Sequence, residues 1–155
     1  LPDKGKGRPG RMTTQVTGHC LCGAVQIAVT GLSDEISACH CSMCTRWSGA
    51  VQMGIEAPEA GVTVTGPVRT YRSSWFSERA WCDTCGSALW LRNVDGPDTG
   101  VYEFLPGLFE NAGGARLTRV VYADCAPDGF SLAGDHDRIS RTQYEAENPH
   151  LNEEV

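Results

Sequence analysis

The stretch Cys39-His-Cys-Ser-Met-Cys44 decides how this sequence is interpreted, together with two further cysteine groups, Cys20-Leu-Cys22 and Cys82-Asp-Thr-Cys85. Zinc is bound in proteins by thiolates arranged tetrahedrally, and a short loop between two cysteines lets both sulfur atoms reach one ion. We find no signal-peptide pattern, and closely spaced cysteines without one favour metal binding over the alternative of four disulfides. The spacing therefore predicts metal sites.

The number of cysteines in these groups limits the kind of site that they can form. The groups hold seven cysteines, whereas two closed structural zinc sites would need eight ligands. We expect the two outer pairs to share one closed site, which would join the first strand to a later hairpin. The central group, Cys39, Cys41 and Cys44, then leaves the fourth position of a zinc ion open, as catalytic zinc sites do.

The residues themselves leave alternatives to this allocation. His40, His19, His136 or Cys125 would turn the central group into a second closed site. His40 is a poor donor because its neighbours on both sides are themselves ligands, and Cys125 is more typical of a small buried hydrophobic residue. Iron is a further option, since four-thiolate sites accept either metal.

Alternating apolar and polar residues predict an all-β fold, an antiparallel sandwich or open barrel. Glycine and proline separate the alternating stretches, as turns require. One short C-terminal helix is expected, with Thr142 as its N-cap, Glu145 three residues later and Pro149 as its stop. The predicted strands lie at 25–30, 51–55, 62–64, 68–72, 87–92, 101–105 and 117–122.

Composition and length indicate one domain. We predict a disordered leader or expression remnant at 1–11, a single zinc-binding β domain at 12–148 and an acidic, solvated tail at 149–155. A net charge of −6 and a pI near 5.1 argue against nucleic-acid binding. No apolar run reaches the roughly 18 residues that span a bilayer, so no membrane partner is expected and the predicted compartment is the cytoplasm.

The cysteine groups lie within three longer motifs, Gly18-His-Cys-Leu-Cys-Gly-Ala-Val25, Cys39-His-Cys-Ser-Met-Cys-Thr-Arg-Trp-Ser-Gly49 and Ser77-Glu-Arg-Ala-Trp-Cys-Asp-Thr-Cys-Gly-Ser-Ala-Leu89. In order and composition these motifs resemble the glutathione-dependent formaldehyde-activating enzyme family, whose domain is shared with centromere protein V. The similarity covers residues 18 to 142, but Thr118-Arg119 stands where a histidine is expected.

The resemblance implies a tent-like antiparallel β fold with two zinc ions. It places a structural ion at Cys20, Cys22, Cys82 and Cys85 and the second ion at the central group. It also implies a carbon–sulfur lyase reaction written in reverse, in which glutathione and formaldehyde give S-(hydroxymethyl)glutathione.

The expected chemistry places a small thiol such as glutathione at the open position beside Cys39, Cys41 and Cys44. Zinc removes the proton of a bound thiol, and the thiolate is the nucleophile that adds to a small aldehyde. Arg46 is the candidate partner for a substrate carboxylate. The competing hypothesis is a non-catalytic binding module that zinc stabilises.

Overall fold

Strands dominate residues 14–153, the part of the chain that the computed structural model describes, and the predicted all-β class is confirmed. The predicted leader lies outside these residues. The strands are β1 Gln15–His19, β2 Gln26–Thr30, β3 Glu35–Cys39, β4 Gln52–Pro58, β5 Val62–Thr65, β6 Val68–Arg72, β7 Ser77–Cys82, β8 Ala88–Asn93, β9 Val101–Phe104, β10 Arg116–Val121 and β11 Asp137–Ile139. The α-helices are α1 Ser42–Ser48 and α2 Arg141–Glu147, and short 3₁₀ turns lie at Glu59–Gly61, Pro106–Leu108, Glu110–Gly114, Ala123–Cys125 and Pro149–Asn152.

These strands form two sheets. A three-stranded sheet has the order β1-β2-β5, and an eight-stranded sheet has the order β11-β10-β3-β4-β9-β8-β7-β6. The predicted antiparallel pairing holds for most neighbours, but β10 runs parallel to both β3 and β11. No local pattern indicates these parallel pairs, because β3 and β10 are separated by most of the domain.

One hydrophobic cluster joins the two sheets. Ile27 and Val29 come from the small sheet, and Ile55, Leu89 and Phe104 come from the large one, and all are almost completely buried. Successive side chains of a strand point to opposite faces. The other face of β3, β4 and β7 therefore carries the residues beside the central cysteine group.

The helices differ from the sequence prediction in two respects. Helix α1 was not predicted at all, because its seven residues are too few for an apolar period to show. Helix α2 exists, but the predicted N-cap at Thr142 is wrong, since Ser140 caps it by accepting a hydrogen bond from the Gln143 amide at 3.2 Å. None of the helices in the described part of the chain is long and apolar enough to cross a bilayer.

Part of the predicted solvated tail packs against the domain. His150 is only 9% exposed, and its ring contacts the Phe76 ring edge-on with 5.0 Å between centroids. The expectation of a solvated tail is therefore wrong at His150, which lies beyond the predicted domain end at 148.

Candidate metal centres

The two outer cysteine pairs meet in one cluster. The Sγ atoms of Cys20, Cys22, Cys82 and Cys85 all lie within 4.8 Å of one another. Cys20 directly follows β1 and Cys82 ends β7, so the cluster joins the small sheet to the large sheet. The sequence grouped these four residues as one site, and the structure brings them together.

Two tight turns present these thiols. Gly23 follows the first pair with φ +79° and Gly86 follows the second with φ +76°, a left-handed conformation that glycine adopts without steric cost. Ser87 connects the turns, because its hydroxyl accepts a hydrogen bond from the Leu21 amide at 3.0 Å and lies 3.2 Å from Cys85 Sγ. Hydrogen bonding to Ser87 lowers the pKa of Cys85 to about 5, which favours the thiolate that a metal needs.

The central group lies where β3 ends and α1 begins. The Sγ atoms of Cys39, Cys41 and Cys44 lie within 4.8 Å of one another. Cys39 is the last residue of β3, Cys41 is the N-cap of α1 and Cys44 is buried in the first turn of that helix. The Cys41 amide donates to Cys39 Sγ and the Cys44 amide donates to Cys41 Sγ, both at 3.4 Å. These amides orient the sulfur atoms and favour their anionic form.

The three central thiols perturb one another strongly. The pKa of Cys39 is raised far above its usual range, mainly by hydrogen bonding to Cys41 and Cys44 and to a smaller extent by burial. Hydrogen bonding to Cys39 and Cys44 lowers the pKa of Cys41 to about 2. One thiolate thus forms at the cost of another, and three thiolates can coexist here only beside a cation. The donor set and its electrostatics therefore fit a metal ion.

None of the alternative donors completes the central group. Within residues 14–153, no fourth His, Cys, Asp or Glu ligand atom joins its 4.8 Å cluster. His40 is buried and its ring faces Phe130 at 6.1 Å. Cys125 was expected to be buried, and that expectation is wrong: it is exposed, belongs to neither cluster and lines a cavity. All eight cysteines are free thiols, so the disulfide alternative is not supported.

A buried arginine accompanies the central group and was missed from the sequence. Arg79, only 4% exposed, donates to the Gln52 side-chain oxygen at 2.8 Å and to Cys44 Sγ at 3.5 Å. Its guanidinium lies over the Trp47 ring, 5.0 Å from the ring centroid. The signal that could have found Arg79 is a charged residue at a position of β7 that faces the protein interior, because charged residues are rarely buried unless they are paired.

The predicted substrate-binding residue Arg46 lies in a different environment. It is an exposed residue of α1, and it does not line the cavity that adjoins the central group. Its role as a carboxylate partner stays a prediction.

A cavity of about 660 Å³ opens beside Cys41. Its walls come from the start of α1, from the segment between β10 and β11 and from α2, and they include His40, Cys41, Tyr122, Phe130, Arg141 and Glu145. The cavity is large enough for a small organic ligand. Cys41 belongs to the central group and also lines this cavity, so a ligand in the cavity can reach the central group at Cys41.

Comparisons with known proteins agree with this arrangement. The family model described as "Glutathione-dependent formaldehyde-activating enzyme" matches residues 15–124, which include both cysteine clusters. The chain belongs to this family. The match ends before Cys125, so the part of the cavity wall contributed by Cys125, Phe130 and α2 lies beyond it.

Two similar proteins are distant from this chain in sequence. A protein of Schizosaccharomyces pombe named "Uncharacterized lyase C29B12.13" is 28% identical over 117 residues, covering 75% of this chain and 84% of that protein. The crystal structure of a Rhodobacter sphaeroides protein, a Northeast Structural Genomics target, has a TM-score of 0.52 and 25% identity, and it covers 66% of this chain and 99% of that one.

Proposed function

We propose that this chain is a zinc-dependent carbon–sulfur lyase that joins a small thiol, such as glutathione, to a small aldehyde and cleaves the same adduct. The observation that carries the proposal is the central cluster, which supplies three thiols beside a cavity and no fourth protein donor within the described residues. Membership of the family and the name of the yeast relative, a lyase, support this reaction class.

The two cysteine clusters fit zinc in different roles. Four thiols from two turns match a closed structural site, whereas three thiols match a site that keeps one position for a ligand from outside the protein. When bound there, zinc would supply a position at which a substrate thiol loses its proton at neutral pH. Thiols that must stay reduced also suit the predicted cytoplasmic location.

The surrounding residues suit an anionic centre. Three thiolates and one divalent cation carry a net charge of −1, and the Arg79 guanidinium beside Cys44 offsets that charge. Burial of Arg79 and Cys44 keeps the charges in a medium where they interact more strongly than in water. Three anionic sulfur donors make zinc a weaker Lewis acid than neutral histidines do, which favours thiol transfer over hydrolysis.

The proposed reaction balances without a further reactant. The thiol sulfur forms a bond to the aldehyde carbon, the carbonyl π bond breaks, and the proton lost from the thiol ends on the new hydroxyl oxygen. The cavity beside Cys41 would hold the organic part of the thiol. A module that only binds zinc would retain both metals without accelerating this exchange.

The test compares metal content and exchange rate in the same samples. We expect about two zinc ions in the wild type and about one in Cys39→Ser. Exchange of glutathione with formaldehyde, followed by NMR line shape, should exceed the uncatalysed rate in the wild type and not in Cys39→Ser. Met43→Leu, an exposed position on the same helix, serves as the matched control and should behave as the wild type. Two retained zinc ions in Cys39→Ser, or wild-type exchange no faster than the protein-free reaction, would contradict the proposal.

A further inference from the structure

The cavity beside Cys41 contains a pair of opposite charges on one helix. Arg141 and Glu145 both line it, and Arg141 Nε lies 2.9 Å from Glu145 Oε1. The Arg141 side chain is 61% exposed and the Glu145 side chain 21% exposed, so both retain access to a ligand. Tyr122 holds Glu145 in place by donating its hydroxyl proton to the same oxygen at 3.1 Å.

The backbone also fixes the position of this pair. The Arg141 amide donates to the Asp124 carboxylate at 2.7 Å, which ties the start of α2 to the 3₁₀ turn Ala123–Cys125. Helix pairs four residues apart are common on surfaces and contribute little to stability. This pair differs because Tyr122, the residue directly after β10, supports it and because both members line a cavity that includes Cys41.

Adjacent charges of opposite sign match a ligand that carries both signs on neighbouring atoms. A guanidinium binds a carboxylate through parallel hydrogen bonds, and a carboxylate accepts hydrogen bonds from an ammonium group. The cavity also contains a polar group that needs a partner: His40 is only 5% exposed, and its Nδ1 has no hydrogen-bond partner within the described residues. Phe130, packed against that ring, provides an apolar wall.

We propose that the cavity selects thiols bearing an α-ammonium carboxylate group, with Arg141 binding the carboxylate and Glu145 binding the ammonium. The sulfur atom then faces Cys41, a placement that rests on the proposed function. Free cysteine and the γ-glutamyl end of glutathione both carry this group. The binding residues lie beyond the family match at 15–124, so the selectivity belongs to this chain's own C-terminal segment.

Sulfur-blocked ligands test the recognition step apart from metal chemistry. We choose S-methylcysteine, which carries both charges, 3-(methylthio)propanoate, which carries the carboxylate, and 2-(methylthio)ethylamine, which carries the ammonium. NMR titration of the metal-loaded protein gives their dissociation constants. Arg141→Ala should weaken the two carboxylate ligands about tenfold and leave the amine unchanged, while Glu145→Gln should weaken the two ammonium ligands and leave the propanoate unchanged.

We call it the crossed pattern when Arg141→Ala weakens only the ligands with a carboxylate and Glu145→Gln weakens only the ligands with an ammonium group. This pattern separates ligand recognition by the pair from a structural role of the pair. Loss of helix packing would weaken all three ligands equally, and that result would overturn the proposal. Glu147→Gln, on the same helix but outside the cavity, is the matched control and should change nothing. A tenfold loss in Arg46→Ala with none in Arg141→Ala would also overturn the proposal, in favour of the residue that the sequence indicated.

The same titrations identify the source of the ligand and separate the two proposals. S-methylglutathione is added as a fourth ligand. Weaker binding of S-methylglutathione to Arg141→Ala than to the wild type supports the γ-glutamyl end as the bound group. Weaker binding of S-methylcysteine alone supports free cysteine. A crossed pattern without thiol–aldehyde exchange would remove the proposed function and keep the recognition site. Exchange without a crossed pattern would remove the recognition site and keep the function.

Discussion

Arg79 is a cation held almost entirely out of water beside a thiol that the proposed function assigns to a metal. Its partners are the Gln52 oxygen, the Cys44 sulfur and the Trp47 ring. Removing a charged ligand contact of this kind around a metal site usually lowers metal affinity 10- to 100-fold. Metal affinity should fall and not rise, because a divalent metal with three thiolates is anionic overall and the substitution removes a stabilising cation.

We therefore expect Arg79→Met to bind zinc at the central site about tenfold or more weakly, measured by competition with a chromogenic chelator. Arg92→Met provides a matched control, since Arg92 also lies over an aromatic ring, 4.9 Å from the Tyr102 centroid, and pairs with Glu78 instead of a cysteine. Equal affinities in Arg79→Met and the wild type would show that Arg79 has no part in holding the metal.

At the residue scale, features that depend on neighbours in sequence could be predicted, and features that depend on the tertiary fold could not. The four-and-three grouping of cysteines followed from counting thiols, and the structure shows the same two clusters, although metal binding itself stays a prediction. Arg79 was missed because it is separated from Cys44 by 35 positions and only the tertiary fold brings the two side chains together. Cys125 was misjudged because its exposure depends on the turn after β10.

In helix α1 one residue, Cys41, both caps the helix and belongs to the central cysteine cluster. Cys41 occupies the N-cap, a position that serine, threonine, asparagine and aspartate prefer, and its sulfur accepts the Cys44 amide proton at 3.4 Å. The helix ends at Gly49, which has φ +85° and donates its amide proton to Thr45. That glycine was a usable stop signal, but a cysteine N-cap gives no start signal in sequence.

The dual role of Cys41 leads to a prediction that compares two substitutions. Cys41→Ser replaces the sulfur by a good capping oxygen, whereas Cys41→Ala removes the acceptor altogether. In metal-free protein we expect Cys41→Ala to be less stable than Cys41→Ser by about 1 kcal/mol, measured by urea unfolding. Both variants should lose the second zinc, and equal stabilities would mean that the cap hydrogen bond contributes nothing.

Strands could be predicted where an alternating stretch of apolar and polar residues is bounded by the glycine or proline of a turn. The predicted strands at 62–64, 68–72 and 101–105 match β5, β6 and β9 closely. Strands β1, β3, β7 and β11 were missed, since each holds a single large apolar residue and so gives too little alternation to recognise. The parallel pairing of β3, β10 and β11 involves distant segments, so no single stretch of sequence carries it.

At the scale of the whole molecule, the two cysteine clusters have different mechanical positions. The four-cysteine cluster joins residues after β1 to the β7–β8 turn and thus connects the two sheets. The central cluster joins the end of β3 to the helix that follows it, a connection of only six residues. Cross-linking distant segments restricts an unfolded chain more than cross-linking near ones. A metal in the four-cysteine cluster should therefore stabilise the fold more than a metal in the central cluster.

We therefore expect unequal thermal effects when one cysteine is replaced in each cluster. In calorimetric unfolding of zinc-loaded protein, Cys82→Ser should lower Tm far more than Cys39→Ser, because structural zinc contributes on the order of 10 kcal/mol to folding in small zinc domains. Cys125→Ser, outside both clusters, should leave Tm within a degree or two. Excess strong chelator should bring wild type and Cys82→Ser to a similar Tm, since both then lack the same cross-link. A Tm loss in Cys39→Ser as large as in Cys82→Ser would instead mean that the central cluster is a structural site, and the distinction between a closed and a ligand-accepting centre would fail.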